Sequence, residues 1–120
     1  MTERPYSLFR KIDNFVVTSG ALGLDPDQYG AKLVEGGVLE QLSAALRNAE
    51  GILMEAGLTR KNVFKANMYL TSLDELTSCN ELWLKFFEDP RPVRTTVAVL
   101  ELPRKALVEI ELWAHINTPG

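Results

Sequence analysis

The chain has 120 residues, of which 46% are hydrophobic and 24% are charged, values that are ordinary for a soluble globular protein with one core. Its net charge of −3 and pI near 5.2 argue against a general nucleic-acid binder, which usually carries a basic patch. The one cysteine, Cys79, excludes an internal disulfide and a multi-cysteine metal site. No apolar run approaches the roughly 20 residues of a membrane helix, and no secretory signal is visible. We therefore expect one cytoplasmic domain over residues 1–120, with no nucleic-acid or membrane partner.

The first third of the chain predicts a β-hairpin followed by a loop. The segments Tyr6–Ile12 and Phe15–Ser19 have strand composition, and the turn residues Asp13-Asn14 separate them. The stretch from Ala21 to Gly37 contains Asp25-Pro26-Asp27 and several glycines. This composition predicts that the stretch is mostly loop.

The middle of the chain predicts helix, strand and helix. Apolar residues recur at helical spacing over Val38–Ala56, and Gly57 follows as a left-handed stop. Phe64–Leu70 alternates apolar and polar residues, which is typical of a strand. Ser72–Glu75 has the spacing of a capping box that opens a second helix, and Asp89–Pro92 ends it.

Two more strands complete the order β-β-α-β-α-β-β, in which two helices cover one face of a five-stranded sheet. The segments run over residues 92–99 and 107–114. Strand alternation then places on the other face a set of side chains of which half are apolar. Such a patch usually marks an interface, so we expect this face to pack against other subunits; a solvated face is the alternative. The set comprises Tyr69, Arg94, Thr96, Ala98, Leu100, Glu109, Glu111 and Trp113.

Arg94 and Glu109 are the most informative pair, because both are expected to face away from the apolar side of their strands. A guanidinium can hold a carboxylate with two hydrogen bonds, and a carboxyl group can exchange a proton. Together they indicate a small-molecule site. The alternatives are an ion pair of Arg94 with Glu109 or Glu111, and a structural role for Glu109 against an arginine of a neighbouring subunit.

At this point the chain resembles the Rid family, also called YjgF (reactive intermediate deaminases). The resemblance runs from about Pro5 to Ala114 and rests on seven segments in the same order at nearly the family's spacing. These segments are Pro5-Tyr6-Ser7, Val17-Thr18-Ser19-Gly20, Glu55-Ala56-Gly57, Asn80 with Phe86-Phe87, Pro92-Val93-Arg94-Thr95, Leu102-Pro103 and Val108-Glu109-Ile110-Glu111.

The resemblance implies a chorismate-mutase-like α+β fold and a homotrimer, in which the sheets form a central barrel and clefts open between subunits. Members hydrolyse enamines or imines, such as 2-aminoacrylate, to a 2-keto acid and ammonia, and they need no cofactor or metal. The partner expected for this chain is therefore a small 2-imino or 2-keto acid.

The resemblance also assigns roles to single residues. Arg94 would hold the substrate carboxylate, and Glu109 would position a water and exchange its proton. The backbone at Gly20 and Thr96 would hydrogen-bond the substrate, and the Tyr6 side chain would close the cleft. Asn80 would support the site.

Two residues depart from the family pattern. Leu8 and Ala21 stand where many members have glutamine, which implies a less polar pocket able to take bulkier imines. A non-catalytic trimer that binds small carboxylates is therefore a second hypothesis. Endoribonuclease activity, attributed to some relatives, is the weakest, because the chain is acidic and lacks a basic stripe.

Overall fold

The chain folds into one mixed β-sheet with two α-helices packed on one side of it. The structure, a computed structural model, describes residues 3–28, 30 and 32–117. The helices are α1 (Val38–Glu55) and α2 (Leu76–Phe86). The strands are β1 (Phe9–Ile12), β2 (Phe15–Thr18), β3 (Ala21–Leu22), β4 (Val63–Leu70), β5 (Val93–Ala98) and β6 (Val108–His115). This architecture confirms the predicted α+β fold with two helices on one face.

The sheet has the order β1-β2-β6-β4-β5, and β3 also pairs with β6. Every pairing is antiparallel except that of β4 with β5, which is parallel and is connected through α2. A parallel pair needs such a long crossover, usually a helix. β6 and β4 are therefore central, and β5 is the last strand on its side of the sheet.

The hydrophobic core lies between the helices and the inner face of the sheet. On β4 and β6 every second side chain is buried, which is the period of a strand with one covered face. The buried positions are Ala66, Met68, Leu70, Val108, Ile110, Leu112 and Ala114, and α1 contributes Leu42, Ala45, Leu46, Ala49 and Leu53. Cys79, Trp83 and Phe87 are also buried.

The ends of α1 follow the sequence prediction closely. At its start, the Gly37 amide donates to Glu40 Oε1 at 2.8 Å. At its end, Gly57 has a φ of +82°, and the amides of Gly57 and Leu58 donate to the carbonyls of Met54 and Leu53. This pair of bonds is a Schellman motif, in which glycine supplies the left-handed conformation. The predicted stop at Gly57 is therefore confirmed.

One local prediction was wrong, and one that was correct in outline missed a short strand. The capping box at Ser72 does not form, because the Ser72 hydroxyl accepts from the nearby Asp74 amide instead. This is a local turn, and α2 begins later, at Leu76. The loop predicted from Ala21 to Gly37 also contains β3, a strand of two residues that is too short to show a period of two.

Polar contacts connect α1 to the β3 segment and to α2. The Asn48 amide donates to the carbonyls of Leu22 and Leu24 at 3.0 and 2.9 Å, which holds the β3 segment against α1. The Arg60 guanidinium pairs with Glu50 at 2.6 Å and donates to the Phe86 carbonyl, which links α1 to α2. Neither helix has the length and apolar character needed to cross a bilayer, within the part of the chain described.

Candidate functional site

Three of the predicted site residues line one open cleft at the β3 edge of the sheet. The cleft has a volume of about 700 Å³, and its walls include Tyr6, Gly20 and Glu109. Tyr6 is well exposed, and Glu109 is half-buried. A volume of this order is in the range of ligand sites. The cleft therefore brings together three residues that are far apart in the sequence; they are called the Glu109 cluster here.

Gly20 lies where β2 ends and the chain rejoins β6 through β3. Pairing with β6 ends at Val17–Trp113 and resumes at Ala21–Ile110, and the Leu112 amide in this gap donates to the Thr18 hydroxyl at 3.0 Å. A Cβ atom on Gly20 would lie 2.6 Å from Glu109 Cδ. Only glycine leaves room for the Glu109 carboxyl group against the backbone here, and its φ is not in the left-handed region.

The environment of Glu109 favours its protonated form. Burial raises the pKa of the Glu109 carboxyl above its ordinary value, and the nearby Glu111 raises this pKa further. Desolvation and a like charge both disfavour a second carboxylate at this place. A carboxyl group with a raised pKa at a cleft is suited to giving and taking protons.

Arg94 lies in a second group, the Arg94 cluster, with Asn80 and Thr96. Its Nη2 donates to Asn80 Oδ1 at 2.7 Å, and its guanidinium carbon is 4.9 Å from the centroid of the Trp83 ring. Burial lowers the pKa of Arg94 below its ordinary value, although a guanidinium stays charged in proteins. One hydrogen bond and one ring thus orient this cation.

The Arg94 and Glu109 clusters lie on opposite faces of the sheet, so the prediction that they share a face was wrong. Arg94 is in register with Ala66 on the parallel neighbour β4, and Ala66 is fully buried beneath the helices. Glu109 is in register with Tyr69 on the same strand. Since alternate residues of β4 point to opposite faces, Arg94 points towards α2 and Glu109 away from it. By the same register, Thr96 and Ala98 also lie on the helix side.

The error arose because the apolar residues of β5 are on its outer face. Val93 is 66% exposed and Val97 is 41% exposed, and both lie on the face that carries Tyr69. Apolar alternation normally marks the core side of a strand. On β5, which is an edge strand, the same pattern indicates the wrong side.

Sequence reasoning also missed a polar network on the outer face, built from Asn67, Tyr69 and Glu111. The Tyr69 hydroxyl donates to Glu111 Oε1, and the Asn67 amide donates to the same oxygen at 3.0 Å. Strand alternation had already placed Tyr69 and Glu111 on this face; Asn67, which alternates with the buried residues of β4 in the same way, was left out.

A smaller cavity of about 110 Å³ lies beyond the end of α2, lined by Arg60, Lys85, Phe86 and Pro90 among others. The Arg60 guanidinium in this cavity already has partners, because it pairs with Glu50 and its carbon lies 3.7 Å from the centroid of the Phe86 ring. Among the described residues, no group of three or more His, Cys, Asp and Glu side chains is placed to hold a metal. The larger cleft is therefore the better candidate site.

Comparisons with known proteins agree with this fold. The family model described as endoribonuclease L-PSP matches residues 1–116. A RutC family protein of Aquifex aeolicus is 40% identical over 112 residues, covering 92% of this chain and 87% of the relative. The mouse 2-iminobutanoate/2-iminopropanoate deaminase is 37% identical over 110 residues, covering 92% of this chain and 80% of the relative.

A solved structure of a similar protein has the same three-dimensional fold. RidA from an Antarctic Psychrobacter superposes with a TM-score of 0.88 at 34% identity, covering 97% of this chain and 92% of that one. The family model and the relatives each extend over nearly the whole chain, so the likeness is not confined to one motif. The chain therefore belongs to the endoribonuclease L-PSP family, which is the YjgF/Rid family.

Proposed function

We propose that the protein hydrolyses reactive 2-imino acids and their enamine tautomers to 2-keto acids and ammonia, in clefts between the subunits of a homotrimer. The observation that carries this proposal is the half-buried Glu109, whose pKa is raised and whose carboxyl group lies against Gly20 in an open cleft. Relatives named imine deaminases, 35–37% identical to this chain, support the same chemistry.

The reaction needs one water and one proton carrier. Water adds to the imine carbon, and Glu109 accepts a proton from that water as the new C–O bond forms. Glu109 then returns this proton to the nitrogen, which gives a carbinolamine. The hydroxyl proton of the carbinolamine passes through Glu109 to the same nitrogen as the C–N bond breaks, so that the keto group forms and ammonia leaves. Backbone groups at Gly20 and Thr96 would orient the substrate, and Tyr6 would restrict the open side of the cleft.

Arg94 would supply the charge that holds the substrate carboxylate. Its guanidinium is oriented by Asn80 and by the Trp83 ring, so little side-chain entropy is lost when a carboxylate binds. Because Arg94 and Glu109 are on opposite faces of one sheet, one chain does not place them in one cleft. We infer that Arg94 of one subunit meets Glu109 of a neighbour.

The outer sheet face has the properties of a surface that a neighbouring copy covers. It exposes Val93, Val97 and Phe15, and apolar surface of this kind usually marks an interface. It also contains the buried oxygen Asn67 Oδ1, to which none of the described residues donates a hydrogen bond. These observations support the homotrimer.

The family's other name suggests cleavage of RNA. This chain has a net charge of −3, whereas proteins that bind RNA phosphates usually carry a basic surface. The charge therefore favours a small anionic substrate, and RNA enters the test below as a competing substrate.

The test generates imines in situ from a panel of amino acids with an amino-acid oxidase and traps the remaining imine with semicarbazide. We expect the wild-type protein to lower the trapped imine and Arg94→Ala not to do so. A wild-type protein that leaves every imine untouched contradicts the deaminase. Cleavage of a single-stranded RNA by the same preparation would support the competing activity instead.

Replacing Gly20 by alanine is expected to abolish most deaminase activity while leaving the fold intact. The new methyl group would lie 2.6 Å from Glu109 Cδ, so the flexible carboxyl group must move away from the cleft wall. A displacement of about 1 Å at a catalytic group commonly costs on the order of 100-fold in rate. Steady-state kinetics and thermal unfolding would measure both effects. Unchanged kcat/KM would show that the placement of Glu109 against Gly20 is irrelevant.

A further inference from the structure

The network of Asn67, Tyr69 and Glu111 holds one carboxylate oxygen in a fixed position on the outer sheet face. Glu111 Oε1 accepts from the Tyr69 hydroxyl and from Asn67 Nδ2 at 3.0 Å, and the same Asn67 nitrogen lies 3.2 Å from the Tyr69 oxygen. Both bonds are accepted by the same Glu111 oxygen, which a carboxyl oxygen can do through its two lone pairs. Hydrogen bonding to Glu111 raises the pKa of Tyr69, so the phenol keeps the proton that it donates.

This network is immediately beside Glu109. Glu109 and Glu111 are two residues apart on β6 and therefore point to the same face, at a backbone separation of about 6.6 Å. Tyr69 is the residue directly opposite Glu109 on β4. The side chain that restrains Glu111 is thus also the cross-strand neighbour of Glu109.

Within one chain, the other described groups around Glu109 place no comparable charge on this face; in the proposed trimer, Arg94 of a neighbouring subunit adds a positive charge that opposes the effect of Glu111. The segment on its other flank contributes Gly20 and Leu22, neither of which is charged. The remaining charged side chains on the cleft walls are Arg4, Arg47, Glu55 and Arg104, all of which are exposed and therefore strongly screened by solvent. Lys65, further along β4, lies over the Trp113 ring.

We propose that Glu111, restrained by Tyr69 and Asn67, is a positioning residue that determines the protonation state in which Glu109 works. The inference rests on the deaminase activity proposed above and gives that site an electrostatic partner. A fixed negative charge at this distance favours the neutral form of Glu109. The proton that Glu109 takes from the attacking water would then stay on the carboxyl group until it is delivered to the departing nitrogen.

The test removes the charge of Glu111 and keeps its shape. In Glu111→Gln, the pH midpoint that depends on Glu109 is expected to fall by about half to one pH unit, since charges on two side chains of one strand face, whose backbone positions are about 6.6 Å apart, interact at roughly this level in a partly solvated site. Both the kcat/KM–pH profile and a ¹³C NMR titration of δ-labelled glutamate would report the midpoint. The Glu109 signal is assigned by its loss in Glu109→Gln.

Two further variants complete the design. Tyr69→Phe frees Glu111 to turn away from Glu109, so a smaller fall of the same midpoint is expected. If Glu111→Gln does not fold, Tyr69→Phe alone tests whether Glu111 shifts the midpoint of Glu109. Glu101→Gln, which removes an exposed glutamate outside the sheet, should leave the midpoint unchanged.

The outcomes separate this inference from the proposed function. Midpoints that are equal in the wild type, Glu111→Gln and Tyr69→Phe overturn the inference, even if all three turn over imines. A fall in the NMR midpoint without imine turnover by the wild type establishes the coupling and contradicts the proposed function. A loss of rate that is equal at every pH would identify Glu111 as merely structural and would also overturn the inference.

Discussion

Replacing Glu109 by glutamine is expected to lower kcat/KM for 2-imino acids by about 10²- to 10⁴-fold, which is the usual contribution of a general acid–base. Glutamine keeps the size of the side chain and can still hydrogen-bond a water, but it cannot take up a proton. The residual rate should also lose the pH dependence that comes from Glu109, whose pKa is raised in the folded protein. Initial rates with semicarbazide trapping across pH would measure both effects.

Ligand binding separates a catalytic role from a structural one. In Glu109→Gln the affinity for a 2-keto acid such as 2-ketobutanoate should stay within a few-fold of the wild type, because Arg94 provides the charge contact. The control is Glu81→Gln, which changes an exposed glutamate on α2 and should leave activity unchanged. If Glu109→Gln loses activity and binding together, Glu109 is a structural residue. If it keeps full activity, the assignment is wrong.

Replacing Gly23 by alanine is expected to lower the free energy of unfolding by about 2–3 kcal/mol, as overpacking of a tight contact does. A Cβ atom at Gly23 would lie 2.5 Å from the Gln41 carbonyl oxygen and 2.7 Å from Gln41 Cα. Both are backbone atoms of α1, so they cannot turn aside as a side chain does. The β3 segment must therefore move away from α1, which also stretches the bonds that Asn48 makes to it.

Gly51→Ala provides a matched control, because it makes the same substitution on α1, the helix that Gly23 packs against. A Cβ atom there meets nothing within 4 Å, and alanine is favoured over glycine in a helix by about 0.8–1 kcal/mol. Denaturation at equal protein concentration should therefore move the two midpoints in opposite directions. A Gly23→Ala midpoint equal to that of the wild type would show that β3 is not packed tightly against α1.

The fold was predictable where the apolar pattern of an element had a single cause, the burial of one of its faces. β4 and β6 alternate because one face is covered by helices and the other is not, and α1 shows a single apolar stripe that ends at Gly57. The pattern failed for β5, where Val93 and Val97 are apolar on the outer face. It also failed at Ser72, where a serine suited to a helix cap makes a local turn instead.

The site was predictable by residue type but not by arrangement. Tyr6, Gly20 and Glu109 meet in one cleft, and Asn80 contacts Arg94, although these contacts span most of the chain. The distance between Gly20 and Glu109 depends on where β2 leaves β6 and β3 rejoins it, and strand composition carries no such register. The opposite placement of Arg94 likewise depends on the parallel register of β5.

The placement of Arg94 and Glu109 on opposite faces of one sheet has a genetic consequence. If each cleft takes its arginine from one subunit and its glutamate from the next, a chain that lacks Arg94 and a chain that lacks Glu109 are each inactive alone. When both are expressed together, mixed trimers contain clefts in which both residues are intact. Two null alleles of this gene would then complement one another within a single oligomer.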